Sequence, residues 1–249
     1  MDEWFKLNRM QINAKKTKVM MFGTKQKIKN KIIKVKHGND FLENVTTFKY
    51  LGVILDQSLN WSLHVSYINK KINRAIACIR RIHSYLNEST LAQLYNALIL
   101  PHLDYCSVVW GKCNKTDLLK LQRSQNRYAR LVLRTDYSTP KEELLRQLKW
   151  LSIENRIDYQ HCIAVYKILN DMAPYYLNGL ASKRPVYYIT RYSTLNPLFI
   201  PKPNTKFKQR SFSFTAPHIY NNLPTQIRTS TTLQSFKNQT RRLFLSSIK

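Results

Sequence analysis

Apolar residues recur at intervals of three and four through the middle of the chain, which is the spacing of a helix with one packed face. The first such stretch follows Asn60, which can cap a helix, and its apolar positions are Val65, Ile68, Ile72, Ile76, Ile79 and Ile82. The lysines and arginines of this stretch lie largely outside the apolar stripe. The pattern therefore predicts a helix that packs on one side and is basic on the other.

More helices are predicted up to about residue 175. "LAQLYNALIL" runs into Pro101, which either kinks that helix or begins the next one, and "TDLLKLQRSQNRYARLVLR" has the same amphipathic period. In "STPKEELLRQL", Thr139, Pro140 and Glu142 have the spacing of a capping box at a helix start. A longer helix, "IENRIDYQHCIAVYKILN", follows and ends near Pro174.

The two ends of the chain have other patterns. In residues 1–58, "KVMMFG" and "TFKYLGVILD" are typical of short strands, and "HGND" suits a hairpin turn because Gly38 tolerates positive φ. Beyond about residue 175, alternating pieces such as "FKQRSFSF" predict strands, and "TTLQSFKNQTRRLFLSSIK" returns to a helical period. Together the patterns predict an α+β fold that is mostly α.

The charge of the chain narrows the partners. Lys and Arg total 41 against 14 Asp and Glu, which gives a formal net charge of +27 spread along the whole length. A polyanion is the natural partner of such a chain. No apolar run approaches the roughly 20 residues that span a bilayer, and no signal peptide opens the chain. We therefore expect nucleic acid as partner, no membrane, and an intracellular location, with the nucleus and a cytoplasmic ribonucleoprotein both open.

Aromatic residues alternate with basic ones in residues 176–249. This combination suits single-stranded nucleic acid, since cations follow the phosphates and rings stack on bases. The candidates for stacking are Tyr187, Tyr188, Phe212 and Phe214. The alternative is that these four are core residues of a small domain, and the sequence favours neither interpretation.

Motifs that carry chemistry are sparse. The four cysteines form no CxxC pair and the six histidines have no zinc-finger spacing. Two-metal catalysis needs converging carboxylates, and adjacent acids occur only as Asp2 with Glu3 and as Glu142 with Glu143. There is no P-loop, GxSxG or HExxH. We predict no metal site, no cofactor and no small-molecule substrate for this chain, and a binding surface in place of an active site.

Several short motifs follow one another in a fixed order along the chain. They are "EWFKLNRMQINAKKTKVMMF", "FKYLGVILD" with "LNW", "LYNALILPHLDYCSVVWG", "LLKLQRSQNRYARLV", "VYKILNDMAP", and "YNNLP" with "FKNQTRRL". In this order they resemble the C-terminal part of reverse transcriptases from non-LTR, jockey-like retrotransposons. The resemblance implies a palm remnant with a primer-grip-like hairpin in 1–58, a thumb-like helical domain in 59–137, connecting helices in 138–175 and a basic aromatic region in 176–249.

The resemblance also implies roles for single residues. Asn13–Thr17 is similar to the palm motif after the catalytic strands, so Lys16 is similar to a lysine near the phosphates of the incoming nucleotide. Taken alone, Lys16 is better explained as a solvated surface lysine. Another five residues resemble the primer grip of the family, namely Phe48, Lys49, Tyr50, Leu51 and Gly52. The basic thumb helices would contact phosphates, and the candidates there are Lys70, Lys71, Arg74, Arg81, Arg123 and Arg127.

In the family that the chain resembles, the metal-binding aspartates lie N-terminal to the motif that matches Asn13–Thr17. We therefore expect this chain alone to bind an RNA–DNA or DNA template–primer duplex without extending it, and we expect Mg²⁺ only in an intact polymerase. Two alternatives stay open. One is a host-retained nucleic-acid-binding module without enzymatic activity. The other is a non-functional remnant that folds poorly because its strands leave an unpaired edge.

Overall fold

The computed structural model describes residues 2–29, 31, 33–38, 40–183 and 197–247. The chain divides into two compact units, residues 1–64 and residues 65–249, which we call the N-terminal unit and the helical unit. The fold is α+β and mostly α, as predicted. Tyr187 and Tyr188, two of the predicted stacking residues, lie outside the described ranges. The four functional parts implied by the resemblance stay a prediction.

Short elements make up the N-terminal unit. They are α1 (Asp2–Leu7), β1 (Lys18–Val19), α2 (Lys25–Ile28), β2 (Lys36–His37), β3 (Asp40–Phe41), β4 (Glu43–Asn44), β5 (Thr47–Tyr50) and β6 (Val53–Asp56). β1 pairs in parallel with β4, whereas β2 with β3 and β5 with β6 are antiparallel pairs. The predicted turn in "HGND" is confirmed, since Gly38 follows β2 with a φ of 60°.

The segment "TFKYLGVILD" forms a hairpin of two strands. Thr47 lies opposite Asp56 and Tyr50 lies opposite Val53. The turn between the strands consists of Leu51 and Gly52, whose φ angles are 44° and 83°. Positive φ at both central residues is the requirement of a type I′ turn, which matches the twist of the flanking strands. Gly52 is therefore a turn residue and not an interruption within one strand.

Asp56 organises the passage from β6 to the next helix. Its buried carboxylate accepts hydrogen bonds from the backbone N–H groups of Ser58 (3.0 Å) and Trp61 (3.1 Å). The side chain of Asn60 in turn accepts a hydrogen bond from the N–H of Ser62 (2.9 Å), where the helix begins. Asn60 thus caps the helix as predicted, because it satisfies one of the unpaired N–H groups of the first turn.

Helices form most of the described chain after residue 61. They are α3 (Ser62–Ile82), α4 (Glu88–Leu94), α5 (Leu100–Asp104), α6 (Ser107–Trp110), α7 (Lys115–Leu133), α8 (Lys141–Leu148), α9 (Ile153–Leu169), α10 (Lys206–Arg210), α11 (Phe212–Asn221), α12 (Thr225–Arg228) and α13 (Leu233–Ser246). A π-helical turn at Tyr95–Ile99 joins α4 to α5. It comes directly before Pro101, which has no N–H to continue the regular bonding. Pro101 therefore lies within a continuous helical stretch.

Aromatic rings form the core against which α7 packs. The Tyr95 ring stacks on Trp150 at 3.7 Å between centroids, and Tyr128 lies 5.9 Å from Tyr95. Buried Gln125 donates hydrogen bonds to the Tyr95 hydroxyl and to the carbonyl of Leu151, both at 2.9 Å. Because these buried polar atoms are paired, the contacts fix α7 without an uncompensated desolvation cost.

A second core lies where α9 packs against α11 and α13. Tyr166 of α9 stacks on Phe236 of α13, with ring centroids 4.4 Å apart. Phe212 packs against the same cluster, and its ring lies 5.7 Å from that of His161. Phe214 is half-buried beside His218. The structure therefore favours the interpretation of Phe212 as a core residue over that of a stacking residue.

Three local predictions are wrong. "FKQRSFSF" is helical in α10 and α11, because Thr205 caps α10 by accepting a hydrogen bond from the N–H of Lys208 (3.2 Å). Thr139 forms no capping box, since Pro140 occupies the cap of α8 and no side chain bonds that first turn. The apolar stripe of α3 is buried from Val65 to Ile79, but Ile82 is half exposed.

Candidate nucleic-acid interface

Two basic helices of the helical unit, α3 and α7, lie side by side. The Ser124 hydroxyl of α7 lies 2.7 Å from Oδ1 of Asn69 and 3.2 Å from Oδ1 of Asn73, both on α3. Ser124 is buried, so this polar contact closes the space between the helices. Beyond it, toward their C-terminal ends, the same two helices form a cleft.

The cleft is lined by basic side chains from both helices. It has a volume of about 990 Å³ and is lined by Asn73, Ile76, Ala77, Arg80, Arg81, His83, Ser84, Arg127, Arg130, Leu131, Arg134, Thr135 and Tyr137. Five of these residues are arginines, and none of the described lining residues is Asp or Glu. A concave surface of one charge sign concentrates the field and attracts ions of opposite charge.

The C-terminal part of α7 and the residue directly after it supply three of the five arginines. Arg127 and Arg130 are three residues apart on α7, which puts them on one face of the helix. Arg134 follows α7 as its C-cap, with a φ of 52°. Arg80 and Arg81 come from the last turn of α3. Cations are favourable in the last turns of helices, because the macrodipole leaves partial negative charge there. Arginine at these positions therefore stabilises the end of α3 and also makes the cleft positive.

Backbone carbonyls hold two of the arginines in place. Arg130 donates to the carbonyl of Thr139 (3.1 Å), and its guanidinium lies over the ring of Tyr137, 4.7 Å from the centroid. Arg134 donates to the carbonyl of Leu86 (3.0 Å). These contacts order the segment after α7 against the end of α3. The cleft is thus a preformed surface, with less side-chain freedom to lose on binding.

The predicted phosphate contacts are only partly brought together. Arg81 and Arg127 line the cleft, whereas Lys70, Arg74 and Arg123 are exposed on the same two helices without lining it. Arg123 lies one turn before Arg127 on the same face of α7, since it precedes Arg127 by four residues.

Lys71 lies on another face of α3. Lys71 and Asn73 are two residues apart and so roughly 160° apart around the helix. The ammonium group of Lys71 lies 4.7 Å from the ring centroid of Tyr67. Burial and the nearby charge of Lys71 lower the pKa of His102. Lys71 therefore does not share a surface with the cleft arginines.

Arg80, Arg130, Arg134 and Tyr137 were missed by reasoning from the sequence. The spacing of Arg127, Arg130 and Arg134 was a usable sign, because it repeats the helical period on one face. Arg80 and Tyr137 had no such sign. They line the cleft because α3 and α7 pack together, and the sequence alone does not show that contact.

The remaining predicted site residues belong to the N-terminal unit. Lys16 is exposed in a turn, where its N–H bonds the backbone and side chain of Asn13. Phe48, Lys49 and Tyr50 lie on β5, and all three are exposed. Leu51 and Gly52 form the hairpin turn. Their roles near nucleotide phosphates and at a primer end stay predictions.

Among the described residues, no three His, Cys, Asp or Glu side chains lie close enough together to hold a metal ion. In the described part of the chain, no helix is both long and apolar enough to cross a membrane. His161 and Cys162, which are neighbours in sequence, are both buried in α9. Burial lowers the pKa of His161 to about 4 and raises the pKa of Cys162.

Parts of the chain are similar to two curated proteins. Over 113 residues, or 44% of the chain, it is 28% identical to a probable RNA-directed DNA polymerase from transposon X-element of Drosophila melanogaster. Over 94 residues, or 36% of the chain, it is 28% identical to an RNA-directed DNA polymerase from mobile element jockey of Drosophila funebris. No family model matches the chain, and no solved structure matches it.

These two matches confirm the resemblance to reverse transcriptases of jockey-like retrotransposons. Both of these relatives are named as RNA-directed DNA polymerases of mobile elements. The matched segments span 12% and 10% of the length of those two relatives.

Proposed function

We propose that the helical unit binds the phosphate backbone of nucleic acid at the arginine cleft, as one part of an RNA-directed DNA polymerase. The observation that carries the proposal is the convergence of five arginines from two helices on one cleft whose described lining contains no acid. Guanidinium groups suit this role, because their planar N–H donors bind phosphate oxygens in pairs. Similarity to RNA-directed DNA polymerases supports nucleic acid over other polyanions.

The expected ligand is a template–primer duplex bound without regard to sequence. Contacts to phosphates position a protein on a nucleic acid, and they carry no direct information about the bases. The overall charge of +27 would add a long-range attraction that speeds the encounter. A polymerase needs such binding, because it must hold every sequence that it copies.

Salt dependence of binding tests this proposal. The affinity of the purified chain for a fluorescent primer–template should fall linearly on a log–log plot against salt, with a slope of roughly −0.9 for each neutralised phosphate. The test variant is Arg80→Ala/Arg81→Ala/Arg127→Ala. These three arginines are exposed, whereas Arg130 and Arg134 also hold backbone carbonyls and their removal would disturb the fold. The slope should flatten by roughly 0.9 for each arginine that binds a phosphate.

A matched control separates the contribution of the cleft arginines to the affinity from that of the overall positive charge. Arg146→Ala/Lys167→Ala/Arg242→Ala removes the same charge from exposed positions that do not line the cleft. We expect this control to lose much less affinity than the cleft variant. Equal losses in the two variants would show that binding follows net charge alone. Absence of binding by the wild-type chain at low salt would overturn the proposal as well.

Polymerase activity of this chain is a separate question. We propose that the chain alone binds template–primer without extending it, and that catalysis belongs to the longer polymerase. Primer extension by the purified chain, supplied with Mg²⁺ and deoxynucleotides, provides the test. Binding without extension supports a binding segment, whether in a polymerase or in a host-retained module, and extension would contradict the proposal.

A further inference from the structure

Tyr137 presents an aromatic ring at the arginine cleft. It follows α7, lines the cleft and is 84% exposed. The guanidinium of Arg130 lies 4.7 Å from its ring centroid, and the same group donates to the carbonyls of Tyr137 (3.4 Å) and Thr139 (3.1 Å). The cation therefore covers part of the ring and anchors its backbone, while most of the side chain faces solvent.

The cleft also offers apolar surface that phosphates do not use. Ala77 of α3 and Leu131 of α7 are accessible apolar side chains that line it beside the arginines. Phosphate oxygens gain nothing from apolar contacts, whereas the faces of bases and sugars do, because their contact removes apolar area from water. The cleft is open to solvent and has a volume of about 990 Å³, which is room for unpaired nucleotides of small-molecule size.

We infer that the cleft holds an unpaired stretch of nucleic acid, such as the single-stranded template next to the duplex of a template–primer, with a base stacked on the ring of Tyr137 and neighbouring phosphates on the arginines. The inference rests on the proposed function and refines its ligand. Bases in a duplex stack on one another inside the helix, so only unpaired bases can offer a face to a protein ring. Stacking on an aromatic ring accepts every base, which agrees with binding that ignores sequence.

Arg130 strengthens this site in two ways. Its charge lies against the ring of Tyr137, as in other cation–π pairs, and it adds a positive group beside the stacked base. Its bonds to two carbonyls anchor the backbone that carries the ring before the ligand arrives. An anchored backbone loses little conformational freedom on binding, so more of the stacking energy is retained.

The experiment compares three ligands with the same full-length chain. They are an eight-nucleotide thymidine strand, an abasic strand with the same phosphates, and a duplex of equal length. Tyr137→Ala should weaken binding of the thymidine strand about 5- to 150-fold, which corresponds to the roughly 1–3 kcal/mol of one base–aromatic stack. The abasic strand should lose far less, because it has no base to stack. The preference of the chain for the thymidine strand over the duplex should fall accordingly.

Two control variants sharpen the result. Tyr137→Phe keeps the ring and should restore binding of the thymidine strand. Tyr175→Ala removes a tyrosine of similar exposure, 85%, that does not line the cleft, and it should leave the affinities unchanged. Equal losses for the thymidine and abasic strands on Tyr137→Ala, or no loss for either, would overturn the stacking site and leave the phosphate-binding proposal standing. If the three-arginine variant instead binds every ligand as the wild type does, the proposed function fails, and this inference fails with it.

Discussion

The two units bury their side chains to very different extents. In the described part of the N-terminal unit, the buried residues are Val53, Asp56, Trp61 and His64, and the strands are two to four residues long. The helical unit buries large aromatic side chains completely or almost completely, namely Trp110, Tyr128, Tyr166 and Phe236. Stabilisation scales with the apolar area removed from water. We therefore expect the helical unit to hold most of the stability, and the N-terminal unit to open locally at lower free energy.

This difference bears on where each kind of site can be built. The cleft arginines lie on long helices packed against aromatic cores, so their positions are fixed before a ligand binds. The primer-grip-like residues lie on a four-residue strand whose side chains are all exposed. Their positions depend on one hairpin turn and on the network around Asp56. The arginine cleft should therefore keep its geometry when a substitution disorders the hairpin.

The largest expected effect comes from the core of the helical unit. Trp110 is fully buried in α6, and its indole N–H donates to the carbonyl of Tyr105 (2.8 Å). Trp110→Ala should lower the free energy of unfolding by about 3–5 kcal/mol, because it leaves a large cavity. Urea denaturation followed by circular dichroism measures the loss. Val109→Ala, at the exposed neighbouring position, should cost less than ~0.5 kcal/mol. Similar losses for the two variants would contradict the assignment of this core.

A second effect in the helical unit depends on pH. Burial lowers the pKa of His161 to about 4, against an ordinary value of 6.5, while Lys112 and Asp158 act on it in opposite directions. Between pH 6.5 and 4 the unfolded chain binds a proton at this histidine and the folded chain does not. Stability therefore falls as the pH drops through this range, by on the order of 3 kcal/mol. Above pH 6.5 the group is neutral in both states and contributes no slope.

Denaturation at a series of pH values tests the role of His161. The variant His161→Gln has no imidazole to protonate, so its stability should vary less between pH 6.5 and 4 than that of the wild type. His218 is exposed in the same unit, and His218→Gln serves as the control for the loss of a histidine. Identical pH profiles for the wild type and His161→Gln would show that the acid sensitivity has another source.

A smaller and local effect is expected in the N-terminal unit. Asp56→Ala removes the acceptor of the N–H groups of Ser58 and Trp61 before α3. Loss of such a capping acceptor lowers the local stability by about 1–2 kcal/mol. We therefore expect faster amide hydrogen exchange in residues 54–64. Asp40→Ala changes an exposed aspartate of the same unit and serves as the control. Unchanged exchange in Asp56→Ala would mean that the hydrogen bonds of Asp56 do not stabilise the segment between β6 and α3.

The helices were predictable from the sequence, but the cleft was not. Apolar period located α7 and α9 well, because a helix that packs on a core must repeat its apolar residues every three or four positions. The cleft instead requires α3 and α7 to meet, and Ser124 with Asn69 and Asn73 makes that contact through polar atoms. Polar contacts between residues about 50 positions apart leave no periodic pattern, so Arg80 and Tyr137 could not be assigned.

Predictions from local sequence patterns were wrong where the same residues suit two kinds of secondary structure. "FKQRSFSF" alternates like a strand, but it also places Phe212 where a helix can pack it against the core of α9. Tertiary packing decided between the two. The pattern of "TFKYLGVILD" predicts a strand that contains a glycine, because Leu51 is not a residue type that is favoured in turns. Its φ of 44° shows that the hairpin tolerates an unfavourable residue there.

The smallest predicted effect uses that unfavourable residue. Leu51 has positive φ and is 72% exposed, and residues other than Gly, Asn and Asp avoid this conformation. Leu51→Asn gives the turn the Asn-Gly pair that type I′ turns prefer, so the hairpin should become more stable by about 0.5–1 kcal/mol. Gly52→Ala should have the opposite sign, because Ala is strained at a φ of 83°. Amide exchange of β5 and β6 reports both changes. If the turn limits the stability of the hairpin, Leu51→Asn should bring the stability of the N-terminal unit closer to that of the helical unit. We then expect slower amide exchange confined to residues 47–56. Equal exchange in the two variants would show that the turn does not limit the hairpin.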